Sequence, residues 1–145
     1  MTKKKVDLSE NKHLVPYFTK EKRKKLSKAA LNCFLGIVNS WNLTDAEKMS
    51  LLKIKDRAEF KRIQKNKSVI LSNLQLEIIS YNIRIYKSLA TLFPKSIHAQ
   101  KNWMKSKNSF FDGHPAIDFI LENNNFAIFL QRLIYVTEYL EGQLY

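Results

Sequence analysis

The chain has 145 residues and is 45% hydrophobic, which is enough apolar material for a buried core and excludes wholesale disorder. Three Gly and three Pro are too few for a turn-rich all-β fold, so the composition favours helices. The single cysteine excludes an internal disulfide framework. We expect Cys33, beside Phe34 in an apolar stretch, to be a buried small hydrophobe rather than a catalytic thiol.

The net charge of +12 is distributed very unevenly along the chain. Residues 1–67 contain 18 Lys and Arg against 7 Asp and Glu, a net of +11, whereas residues 68–145 contain 7 against 6, a net of +1. Only a local field can direct a polyanion to one face of a protein. The imbalance therefore predicts that the first part contacts nucleic acid and that the second part contacts something else.

The Lys-rich start is not followed by an apolar stretch long enough for a signal peptide. In the second part, the longest apolar run, Phe126 to Leu130, is about a quarter of a membrane span. We therefore expect a soluble cytoplasmic protein with no membrane partner.

Residues 1–25 are polar and basic, and Pro16 interrupts any helix there, so we expect an N-terminal arm that is partly disordered or helical. The run from Lys20 to Lys25 is either the solvated start of a helix or an arm that grips phosphates. From Leu26 to Trp41, apolar residues recur at three- and four-residue spacing, which predicts an amphipathic helix.

Two short helices are predicted next. A capping box from Thr44 to Glu47 begins the first, and Asp56 repeats the capping pattern before a second helix that runs to about Lys65. The tight connection Lys53–Lys55 joins them, which is the layout of a helix-turn-helix. In that layout the second helix enters the major groove, and the alternative is a basic surface helix that only aids solubility. The candidate DNA-binding residues are Lys55, Arg57, Lys61, Arg62, Lys65 and Lys67.

Residues 68–145 predict further helices. A capping box from Ser72 to Gln75 begins a long helix that Pro94 ends, and Ser96 caps a shorter helix that contains Trp103. A loop from Asn108 to Pro115 and the polar run Asn123–Asn125 separate two more helices. We expect Trp41 and Trp103 in the core, and one of Phe110 and Phe111 on the surface.

Nothing in the sequence indicates catalysis. His13, His98 and His114 have no metal-ligand spacing with one another or with Cys33, and there is neither a nucleophile–base pair nor a Gly-rich phosphate loop. We therefore expect no enzyme activity, no cofactor and no metal.

The order and spacing of two residue sets resemble the Xre/MbcA/ParS antitoxin family of toxin–antitoxin systems, over about residues 27–145. The first set is Trp41-Asn42-Leu43-Thr44, Glu47, Leu51-Leu52, Ile54, Arg57, Phe60 and Arg62. The second, stronger set is Ile85-Tyr86-Lys87-Ser88-Leu89, Leu92-Phe93, Trp103-Met104, Asn108, Phe111, Gly113, Pro115-Ala116-Ile117-Asp118, Val136 and Tyr139-Leu140-Glu141.

The chain departs from the family pattern at three positions of the first set. Lys53 stands where the family often has a turn Gly, Asn42 replaces a Gly, and Ile63 stands where a Trp commonly ends the recognition helix. If the turn needs a positive φ, Lys53 costs on the order of 1 kcal/mol there. Asn42 tolerates that conformation more readily.

The resemblance implies an all-α antitoxin with an N-terminal Xre-like helix-turn-helix part (26–67) packed on a C-terminal helical toxin-binding part (68–145). Its partners would be a RES-type NAD-degrading toxin and double-stranded operator DNA, bound as a homodimer or a larger toxin–antitoxin complex. The C-terminal helix and tail would occlude the toxin's active site. The residues implied in toxin binding are Phe111, Tyr139, Gly142, Gln143, Leu144 and Tyr145.

Two alternatives remain open at this point. One is a stand-alone helix-turn-helix transcriptional regulator whose C-terminal part serves only dimerisation. The other is a protein-binding adaptor whose basic face is incidental.

Overall fold

The computed structural model describes residues 18–66 and 69–145, and its elements there are all helical, as the sequence predicts. Residues 1–17 of the predicted arm, and Lys67, lie outside the described residues. None of the described helices is both long enough and apolar enough to span a membrane. The elements are α1 (Lys20–Ser40), α2 (Asp45–Leu52), α3 (Arg57–Asn66), α4 (Asn73–Leu92), α5 (Ile97–Asn102), α6 (Ala116–Leu121) and α7 (Phe126–Gly142), with short 3₁₀ turns at Trp103–Lys105 and Ser109–Phe111.

Helix α1 begins earlier than the apolar pattern predicts. The hydroxyl of Thr19 caps it by accepting a hydrogen bond from the Lys22 amide at 3.2 Å, so the basic run from Lys20 is the solvated first part of the helix. Phe34 and Val38 are fully buried on its inner side.

Cys33 is exposed, so the prediction of a buried cysteine is wrong. One residue is 100° of helix rotation, which moves Cys33 off the buried stripe of its neighbour Phe34.

The predicted capping box of α2 is present. Thr44 accepts from the Glu47 amide at 3.1 Å, and the Glu47 carboxylate accepts from the Thr44 amide at 2.9 Å. Helix α2 ends at Lys53, which adopts the left-handed conformation with φ 60°. The carboxylate of Asp56 then accepts from the Ala58 amide at 3.3 Å at the start of α3. The turn between α2 and α3 therefore does need a positive φ, at the position where Lys53 stands.

Helix α4 lies at the centre of the fold and packs against α1, α2, α5 and α7. Its own capping box pairs Ser72 with Gln75. The side-chain amide of Gln75 also donates to the Leu52 carbonyl at the end of α2, at 2.9 Å. Tyr81 and Ile85 are fully buried in a core that contains residues from both predicted parts of the chain. The two parts therefore share one hydrophobic core.

The connection between α3 and α4 is fastened to α1. The buried hydroxyl of Ser27 accepts from the Leu71 amide at 2.8 Å and donates to the Arg23 carbonyl at 2.6 Å. The Arg23 guanidinium in turn donates to the Leu71 carbonyl at 2.9 Å. One residue of the connection, Leu71, is thus held at both its polar backbone groups by the first turns of α1.

The remaining C-terminal elements follow the sequence prediction with small differences. Ser96 caps α5, but Trp103 lies just after that helix, in the first 3₁₀ turn. The predicted loop Asn108–Pro115 contains the second 3₁₀ turn. The two residues that follow this turn, Asp112 and Gly113, both have positive φ. Asn125 caps α7 by accepting from the Ile128 amide at 3.1 Å.

Lys53 gives a test of the turn between α2 and α3. Its left-handed backbone costs about 1 kcal/mol relative to Gly, while its ammonium lies 3.5 Å from the centre of the Phe129 ring. We expect Lys53→Gly to be about 1 kcal/mol more stable than Lys53→Ala, because both variants lose the cation–π contact and only Gly relieves the backbone strain. Urea unfolding of the two variants measures this difference, and equal unfolding free energies would contradict a strained turn.

Candidate functional sites: a cationic helix face and a C-terminal tail

The outer side of α3 is cationic. Phe60 and Ile63 are buried on its inner side, which turns Arg57, Lys61 and Lys65, spaced every four residues, toward solvent. The exposed cations of this surface, which we call the cationic face, are Lys55, Arg57, Lys61, Arg62 and Lys65. The structure thus brings together all the candidate DNA-binding residues except Lys67, which is not described.

The acidic groups near the cationic face neutralise little of its charge. Arg57 lies 3.8 Å from a carboxylate oxygen of Asp45, and Arg62 lies 3.7 Å from one of Glu59. Long contacts between such exposed groups are worth at most about 1 kcal/mol, so water or another anion competes for them easily. Burial lowers the pKa of Lys53, and the positive charge of Lys55 lowers it further.

A groove of about 700 Å³ lies beside the cationic face, between the turn that follows α2 and the loop that precedes α7. It has three cations and no carboxylate among its described lining residues, and its floor is apolar. The lining consists of Ala46, Met49, Ser50, Lys53, Ile54, Lys55, Arg57, Leu74, Leu121, Asn123, Asn124 and Phe126. The groove places part of α7 next to the turn.

The chain ends in an exposed tail. Leu140 is buried and fixes the last turn of α7, whereas the four residues from Gly142 to Tyr145 are exposed. Tyr145 is fully exposed, so its ring lies outside the core. Tyr139, one helical turn before the tail, is half-buried.

A polar contact between α4 and α7 holds the start of the tail. The Arg84 guanidinium donates two hydrogen bonds to the Glu141 carboxylate, at 2.6 and 2.8 Å. This pairing raises the pKa of Arg84 and lowers the pKa of Glu141. A bidentate guanidinium–carboxylate pair is geometrically specific as well as strong. The last turn of α7 is therefore fixed directly before the exposed residues.

Phe110 forms an aromatic patch with two Tyr side chains of α7. The Phe110 ring stacks on Tyr139 with centroids 4.0 Å apart and on Tyr135 at 5.9 Å, and both Phe110 and Tyr135 are about half exposed. Phe111 is only 4% exposed and stacks on Phe119 inside the core. The expectation that one of the two adjacent Phe side chains is exposed is confirmed.

Of the two adjacent Phe residues, Phe110 presents the exposed ring. Phe111, which the resemblance implies in toxin binding, is covered by the chain itself. Sequence reasoning did not single out Tyr135. An aromatic residue that falls outside the apolar stripe of α7 is the signal that would have found it.

Among residues 18–66 and 69–145, no group of three or more His, Cys, Asp and Glu side chains is arranged to hold a metal ion. His98 is exposed, and its ring nitrogen lies 3.2 Å from the Asn102 amide on the same helix.

Comparison with known proteins gives one informative similarity. The uncharacterized protein y4oB of Sinorhizobium fredii is 29% identical to this chain over 115 residues, which is 79% of this chain and 84% of that protein. No family model matches the chain. No solved structure matches it significantly.

Glu77 gives a test of the buried polar groups on α4. Burial raises the pKa of its carboxyl, which the hydrogen bond donated by Tyr81 only partly offsets, and burial together with the charge of Glu77 raises the pKa of Tyr81 to about 12. The folded protein holds the proton of the Glu77 carboxyl more tightly than the unfolded chain does. The free energy of unfolding is therefore greatest below the ordinary Glu pKa of 4.5 and falls as the pH rises above it.

We therefore expect Glu77→Gln to raise the free energy of unfolding at pH 7 by on the order of 1 kcal/mol and to have little effect below pH 4. Urea unfolding of both proteins between pH 3 and 8 measures this. A variant whose effect does not change with pH would contradict the assignment.

Proposed function

We propose that this protein is the antitoxin of a type II toxin–antitoxin system, which neutralises a RES-type NAD-degrading toxin and binds operator DNA to regulate its own transcription. The observation that carries the proposal is the placement of a cationic helix face and an exposed aromatic tail on one shared core. The sequence resemblance to the Xre/MbcA/ParS family supports the same assignment.

The DNA-binding part of the proposal rests on the cationic face. Helices α2 and α3 would act as a helix-turn-helix, with α3 in the major groove and its exposed Arg and Lys side chains on phosphates and base edges. A homodimer, or a complex with the toxin, would present two such helices to a two-fold operator. What supports this role is the exposure of Lys55 in the turn and of four cations on α3, together with the long 3.8 Å contact of Arg57 with Asp45.

The toxin-binding part rests on the tail. A cleft that accepts an anionic nucleotide has cationic groups and an apolar slot for a ring. The exposed Tyr145 ring matches the apolar slot. The Arg84–Glu141 contact supports the role, because a tail that leaves a fixed helix end loses less conformational entropy on binding than one that leaves a mobile segment. Steric occlusion of the toxin's nucleotide site would then neutralise it.

The toxin half is tested by co-expression with the neighbouring reading frame. We expect the full chain to restore growth and to co-purify with the toxin. Deletion of Gly142–Tyr145 should abolish the rescue while leaving the fold and DNA binding unchanged, because these residues are exposed and lie beyond the core. The matched control is Arg62→Ala, which should still neutralise. No rescue and no co-purification by the full chain would reject the toxin half, and full rescue by the truncated chain would reject the tail as the blocking segment.

The DNA half is tested by titrating the duplex upstream of the gene at increasing salt. We expect a steep linear fall of log affinity with log salt, and a slope about 0.9 less steep for each phosphate contact removed from the cationic face by Lys61→Ala or Lys65→Ala. Lys101→Ala, an exposed change in α5, is the control and should leave the slope unchanged. Negligible affinity at low salt would reject DNA binding and favour a protein-binding adaptor.

A further inference from the structure

We propose that the first two turns of α1 form a second phosphate-binding segment, which contacts the same DNA duplex as α3. This inference rests on the proposed DNA binding and extends it from a single helix to a surface made of two. We call residues Lys20–Lys28 the α1 basic segment.

The α1 basic segment has far more positive charge than its local structure needs. It contains five Lys and one Arg against one acidic residue, Glu21. Arg23 is used internally, since its guanidinium donates to the Leu71 carbonyl. The five lysines are exposed, and within residues 18–66 and 69–145 none of them forms an ion pair. They are Lys20, Lys22, Lys24, Lys25 and Lys28.

This arrangement is unfavourable for the isolated helix. Lys20, Lys24 and Lys28 follow one another at four-residue spacing, so like charges are neighbours along one side of α1. Each such pair destabilises a helix by a few tenths of a kcal/mol, about as much as an opposite-charge pair stabilises it. A polyanion removes this repulsion, and a helix that only needed solubility would gain by alternating its charges. The segment is therefore matched to an anionic partner.

The structure fastens the α1 basic segment to the connection that follows α3. Leu71, in the connection that follows α3, is hydrogen-bonded to both Arg23 and Ser27. At the start of α1, the Phe18 amide donates to the Asn73 side chain at 2.9 Å. The α1 basic segment is thus held to the chain five residues after α3 ends at Asn66.

The dimensions suit a single duplex. Lys65 and Leu71 are six positions apart in the chain, so their Cα atoms are at most about 20 Å apart, less than one helical turn of DNA at about 34 Å. The nine residues of the α1 basic segment extend for about 12 Å along the helix axis, a length over which a duplex has about seven phosphates. One duplex can therefore contact α3 in its groove and α1 along its backbone.

The partner is duplex DNA rather than an acidic protein, because the segment offers only flexible point charges and no exposed aromatic anchor among its residues. Lysine side chains of this kind hold phosphates without reading bases. The inference therefore predicts a contribution to affinity that is the same for operator and non-operator sequences.

The test is the triple variant Lys20→Gln, Lys24→Gln, Lys28→Gln, in which Gln keeps the chain length and helix propensity and removes the charge. Duplex titrations over a range of salt are compared with those of the intact protein, using the upstream duplex and an unrelated duplex of equal length. We expect the slope of log affinity against log salt to become less steep by about 2.7, and the loss of affinity to be equal for both duplexes. Because three repelling charges are removed, thermal stability should be unchanged or slightly higher.

A second triple variant, Lys87→Gln, Lys95→Gln, Lys101→Gln, removes three exposed charges from α4, α5 and the connection between them and should leave the slope unchanged. If the α1 variant also leaves the slope unchanged while Lys61→Ala and Lys65→Ala reduce it, the inference is overturned and the proposed DNA binding stands. If the intact protein does not bind duplex DNA at low salt, or binds single-stranded RNA more tightly, the DNA half of the proposed function fails with it.

Discussion

The burial of α4 on several sides is the constraint on which the rest of the structure depends. One side of this helix packs against α1 and another against α7, and Ile78, Tyr81 and Ile85 between them are fully buried. Each such side chain contributes about 1.5–3 kcal/mol when it leaves water. Helices α1 and α7 both pack against α4, so the basic and the near-neutral parts of the chain fold around the same helix.

This shared core places the two candidate sites without joining them. The cationic face extends from the turn that ends α2 along α3, and the tail leaves the far end of α7, where Arg84 of α4 holds Glu141. The Lys53 turn is a second connection between the parts, because its ammonium lies over the ring of Phe129 in α7. The turn thus combines an unfavourable backbone conformation with a favourable nonlocal contact. Such a combination persists only where the surrounding structure fixes it.

The sequence was sufficient for features that depend on nearby residues. The capping boxes of α2 and α4 were predicted correctly, because they need only a hydroxyl and a carboxyl or amide three residues apart. The exposure of Cys33 was not predicted. Its neighbours in the sequence are apolar, but its position on the helix turns it away from the core. The start of α1 at Lys20 was one of two interpretations left open, because a basic helical turn has no apolar pattern to decide between them.

The nonlocal contacts of the candidate sites could not be predicted at all. They depend on how distant segments pack. Examples are the contact between Lys53 and Phe129, the Arg84–Glu141 pair, and the exposure of Phe110 in place of Phe111. Composition located the positive charge in the first part of the chain. The hydrogen bonds of Leu71 to Arg23 and Ser27, which fasten the connection after α3 to α1, join residues more than 40 positions apart and have no local sequence signal.

The central claim, that both parts fold as one unit around α4, is tested most directly by urea unfolding followed at two tryptophans. Trp41 belongs to the first part and is buried, and Trp103 packs partly buried against the core in the second. In Trp103→Phe the fluorescence reports Trp41, and in Trp41→Phe it reports Trp103. The account predicts that in each variant the fluorescence and the far-UV circular dichroism have the same midpoint and the same slope. Two separate transitions, with one tryptophan responding in the first and the other in the second, would contradict a single core.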